Sequence, residues 1–99
     1  QSAQITGISI SGDRYVVSIS TPGFTPQLPG QHVHFFFNTV PPEQAGAPGA
    51  GAWHVHGDSG SYSGITLAER PSSATQICVL VANPDHSVQL NTGNCYPLP

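Results

Sequence analysis

Lysine and methionine are absent from this 99-residue chain, and Arg14 and Arg70 are its only residues of fixed positive charge. With five acids against two bases, the formal charge is −3 and only 7% of residues are charged. Phosphate neutralisation needs clustered Lys and Arg, so this balance argues against nucleic-acid binding. No apolar run approaches the ~18–20 residues that span a bilayer as a helix, so no membrane span is read. The Ala/Glu/Lys/Leu stock from which helices are built is also small. What is abundant is Gly (11) and Pro (10), about a fifth of the chain, set among Ser, Thr, Gln and Asn.

Short alternating or β-branched stretches recur between these turn formers, and they predict strands rather than helices. Ile5 to Ile10 and Arg14 to Ser20 flank Ser11-Gly12-Asp13 as a hairpin. Further strands are predicted from His32 to Val40, Trp53 to His56, Ile65 to Glu69, Ile77 to Ala82 and Ser87 to Leu90. About seven short strands in one domain of residues 1–99 point to an all-β fold, a small antiparallel β-sandwich of immunoglobulin-like or related type. Residues 41–52 form a Pro/Gly/Ala loop, long for a hairpin and expected to be flexible. Cys78 and Cys95, an even pair in a small Lys-free chain, predict one disulfide and a secreted, extracellular or periplasmic location.

Chemistry concentrates in five histidines. Two His-Val-His runs, His32-Val33-His34 and His54-Val55-His56, each put two imidazoles on one face of a strand. The intervening and flanking residues, Val33, Phe35 and Phe37 on one strand and Trp53 and Val55 on the other, are apolar and predicted to face the core. Pairing His34 with His54 as antiparallel neighbours would place His32 opposite His56 and bring all four imidazoles onto one outward surface. A slip by two residues would keep three or four of them together. Imidazole ligands favour Zn²⁺, Cu²⁺ or Ni²⁺ over Ca²⁺ or Mg²⁺, and zinc or copper is the expected ion. His86, in the turn Asn83-Pro84-Asp85-His86, and Asp58, two positions past His56, are secondary candidates. Asp58 can also orient an imidazole from behind.

The segment Ala52-Trp53-His54-Val55-His56-Gly57-Asp58 resembles the copper-ligand strand of copper/zinc superoxide dismutases, in which an apolar-His-Val-His run is followed closely by Gly-Asp. Those proteins are disulfide-bonded β-sandwiches, and the resemblance implies that His54 and His56 bind copper. It covers seven residues. Ser59 to Gly64 holds no histidine to supply that family's bridging and zinc ligands, and its catalytic arginine has no counterpart here.

No catalytic residues are assigned. Gly57-Asp58-Ser59-Gly60-Ser61 resembles the nucleophile motif of trypsin-like proteases, which need two barrels and more than twice this length. The leading expectation is therefore a metal-binding β-domain. A structural, adhesion or filament-forming module able to self-associate through sheet edges or a shared metal is the alternative, and a dismutase-type copper redox enzyme is a third.

Overall fold

The computed structural model describes residues 1–99, and the alternating stretches form eight strands in two antiparallel sheets. The first hairpin is β1 (Gln4–Ser11) and β2 (Arg14–Ser20), turned at Gly12, whose φ of +61° is the left-handed geometry that glycine adopts without strain. With β5 (Tyr62–Thr66) they make a three-stranded sheet in the order β1-β2-β5. The second sheet runs β4 (His54–His56), β3 (His32–Phe37), β6 (Gln76–Ala82) and β7 (Val88–Gln89), with β8 (Cys95–Pro97) also paired to β6.

Register decides what each face carries, because directly paired residues point to the same side of a sheet. Val33, Phe35 and Phe37 pair with Val81, Val79 and Ile77, and all six meet Ile5, Tyr15, Val17 and Ile65 of the first sheet in the sandwich core. The alternate set pairs His32 with Ala82, His34 with Leu80 and Phe36 with Cys78, facing away from that core. This outer face is covered as well. Ala45 lies fully buried in a second cluster with Phe36, Cys78 and Leu80, and Val40, Trp53 and Val88 pack around it. Hence every residue of β3 is buried.

Several expected boundaries shift. The strand from His32 stops at Phe37: Asn38 N–H still donates to the Gln76 carbonyl, but the chain turns there through the Val40 N–H to Phe37 carbonyl bond, and the Asn38 side chain bonds Thr75 and Gln76. The strand expected from Ile65 begins earlier, at Tyr62, and ends in a 3-10 turn over Leu67–Glu69 closed by a capping box with Thr66. The last alternating segment shortens to Val88–Gln89, and the Pro-rich tail contributes β8. Within loop 41–52, Pro42–Gln44 forms one 3-10 turn.

The expected disulfide joins Cys78 to Cys95, a directly paired couple that ties β8 to the central strand β6. It closes a loop of sequence separation 17. By chain entropy such a cross-link stabilises by roughly 3 kcal/mol, so a Cys78→Ala/Cys95→Ala variant is expected to melt at least about 12 °C lower. Thermal unfolding of both proteins measures the difference.

Candidate metal centre

The sheet register separates the two histidine pairs. His34 pairs with Val55, while His54 pairs with Phe35 and His56 with Val33. This is one residue away from the register that unites the four, and an odd offset sends the pairs to opposite faces. The single outward-facing four-histidine surface is therefore not formed. Each apolar partner set does meet a core, but a different one: Phe35 faces the sandwich core, and Trp53 packs on the outer cluster.

His32 and His34 instead lie fully buried on the outer face, joined there by His86. The turn holding His86 runs from Asn83 to Ser87, closed by Asn83 N–H to the Ser87 carbonyl and His86 N–H to the Asn83 carbonyl. His86 has φ +69°, an uncommon conformation for a residue with a side chain, and its ring is aimed at the other two. His32 Nε2 lies 2.9 Å from His34 Nε2, and His86 Nδ1 is 3.1 and 3.3 Å from them.

The opposite edges of two rings fix their tautomers. His32 donates Nδ1–H to the Gly30 carbonyl and His34 donates Nδ1–H to the Ala45 carbonyl, both at 2.8 Å. A carbonyl oxygen only accepts, so in the neutral rings both Nε2 atoms carry lone pairs that face each other. A neutral His86 can place at most one proton into this space, which still leaves two lone pairs opposed at 2.9 Å. A bound cation satisfies all three nitrogens at once. Tetrahedral nitrogen ligands at about 2.0–2.1 Å from zinc stand about 3.3 Å apart, so the triangle needs to open by only a few tenths of an ångström. The carbonyl acceptors behind His32 and His34 are the outer partners that metal-bound imidazoles commonly have.

A proton is the competing cation, and the site disfavours it at His34. Burial lowers the His34 pKa to about 4; the Ala45 carbonyl opposes this, and the neighbouring His32 and His86 add to it. The loop that supplies Ala45 is pinned from both sides, since Ala47 N–H donates to the His86 carbonyl at 2.8 Å. Between them Gly46 has no room for a side chain, because a Cβ would stand 2.5 Å from the His86 carbonyl oxygen. Trp53 stacks on His34 with ring centroids 5.5 Å apart and planes inclined by 15°.

The other expected ligands have different partners. His54 Nε2 lies 2.6 Å from Glu69 Oε1, and a carboxylate only accepts, so Nε2–H donates. His54 Nδ1 lies 2.8 Å from the Tyr62 hydroxyl. Glu69 is held in turn by the Thr66 N–H and hydroxyl, both on Oε2. Burial alone would raise the Glu69 pKa, but the bonds from Thr66 and His54 outweigh it and hold the group below its ordinary value. Burial and the Glu69 charge raise the Tyr62 pKa, with Arg14 opposing. His56 donates Nε2–H to the Gly60 carbonyl at 2.7 Å, with the exposed Asp58 at 3.4 Å. Asp58 itself accepts the Gly60 N–H, as a turn residue does. His86 is the ligand that strand periodicity undervalues, since a turn position carries no facing rule.

The three histidines can thus hold a metal ion. No helix is long and apolar enough to cross a membrane, and the disulfide fits an environment outside the reducing cytoplasm. Comparison of the chain finds no matching family model, no matching curated protein and no matching solved structure.

Proposed function

We propose that this is a transition-metal-binding β-domain of an extracellular or periplasmic protein, binding zinc or copper through His32, His34 and His86. The convergence of three imidazole nitrogens within 3.3 Å of one another carries the reading. Imidazole donors select the later first-row divalent ions, and copper stands above zinc in intrinsic affinity, so supply decides between them. Two ligands on one buried strand are preorganised, and only the ligand on the turn adds an ordering cost.

Isothermal titration of chelator-treated protein with Zn²⁺ and with Cu²⁺ tests this. One equivalent bound at micromolar affinity or tighter is expected; no binding tighter than ~100 µM for either ion removes the proposal. Trp53 gives a second readout, as the only tryptophan in the chain and stacked on His34. Stoichiometric Cu²⁺ is expected to quench its fluorescence by more than about half, because a paramagnetic ion on the stacked imidazole drains the excited state. Zn²⁺, with a filled d shell and no redox chemistry, is expected to leave most of the emission.

A further inference from the structure

A recess lies beside Trp53, and none of the three clustered histidines lines it, although Trp53 also stacks on His34. The recess encloses about 630 Å³ and is lined mainly by apolar groups, among them Val40, Trp53, Ile65 and Pro71, with His54 and Glu69 in its wall. A volume of that order suits a small organic molecule, and a mostly apolar lining with few convergent polar groups is the usual makeup of such sites.

Glu69 is the one acid in this lining, and neither arginine is part of it. Its carboxylate is fixed from three directions, by the Thr66 N–H, the Thr66 hydroxyl and His54 Nε2–H. A carboxylate offers about four acceptor positions, so one stays open after these three bonds. His54 is itself braced by the Tyr62 hydroxyl, which leaves the acceptor little freedom to lose when a ligand binds. The wall also holds Trp53, and an indole attracts a cation as well as an apolar body.

We infer that this cleft binds a small organic amine, its cationic nitrogen on Glu69 and its apolar body against Trp53, Val40 and Pro71. The inference is independent of the metal centre, whose ligands lie outside the cleft.

Benzylamine, benzyl alcohol and benzoate share one ring and differ only in the polar head. Each is titrated into chelator-treated ¹⁵N-labelled protein at pH 8, following amide and indole shifts. Benzylamine is expected to perturb Trp53, His54 and Glu69 and to bind at least about tenfold tighter than benzyl alcohol, with benzoate weakest. Glu69→Gln should erase the amine preference and leave the alcohol unchanged. Because Glu69 also caps a turn, a second variant leaves it in place: Thr39→Lys, at an exposed residue of the same cleft, should weaken the amine several-fold by like-charge repulsion. Equal affinity for the three compounds would mark a merely apolar surface and overturn the assignment. So would shifts lying outside the cleft, or none from any compound at about 10 mM.

Discussion

Substitution of His86 by Asn, or of His34 by Ala, is expected to lower Zn²⁺ and Cu²⁺ affinity at least about 100-fold, while His54→Ala leaves it within about twofold. The contrast follows from the register. His34 and His86 turn their nitrogens into one space, whereas His54 spends both of its own on Glu69 and Tyr62 across the sheet. Losing one of three ligands leaves two imidazoles, a set that binds divalent ions weakly. His34→Ala also empties a fully buried position and costs fold stability, so His86→Asn is the cleaner variant. Asn tolerates the left-handed backbone at this turn and keeps its shape. Titration calorimetry on the three variants measures the ratios, and equal loss in His54→Ala would refute the assigned site.

The same variants should differ in how metal stabilises them. A ligand that binds only the folded state adds about 2.7 kcal/mol at a hundredfold excess over its dissociation constant. For a chain of this size that corresponds to a melting-point rise on the order of 10–20 °C. Wild type and His54→Ala should show the rise, and His86→Asn should show little of it.

How far the sequence reveals this depends on which rule governs each residue. Alternation located every strand but β8, though not all their ends, and it gave the core side of β3, because Val33, Phe35 and Phe37 do face the sandwich interior. It also placed His32 and His34 on a common face. Which face of β4 carries His54 was beyond it. A sheet with one wet side allows a single reading of an apolar-polar alternation, but this sheet has apolar cover on both sides, so Trp53 and Val55 satisfy either register. The cover comes from loop residues, Val40 and Ala45 among them, whose contacts are set by tertiary packing rather than local pattern. His86 is legible only as a turn residue and secondary candidate ligand. Its role depends on a left-handed backbone and on the return of the chain past β3, and neither has a periodic signature. The disulfide needed no geometry, since two cysteines allow one pairing.

Metal-free protein is expected to lose up to roughly 3 kcal/mol of stability as pH falls from about 6.5 to about 4, because of His34 alone. Its folded-state pKa is depressed to about 4, chiefly by burial, against an ordinary value of 6.5. Between those values the unfolded chain takes up a proton that the folded one refuses, so acid favours unfolding. Above 6.5 both states are neutral and the stability is fully present; below 4 both are protonated and no further loss accrues. Glu69 also has a lowered pKa, but its unfolded value lies near the bottom of this window, so its contribution is lost at lower pH. Urea unfolding at pH 7.5, 6.0, 5.0 and 4.0 measures the slope. A His34→Leu variant, which keeps the volume and cannot titrate, should flatten it, and a slope unchanged by that variant would remove His34 as its source. Zinc-loaded protein should resist acid further down the scale and then unfold over a narrower range, because metal and protons compete for the same lone pairs and release of the ion admits them together.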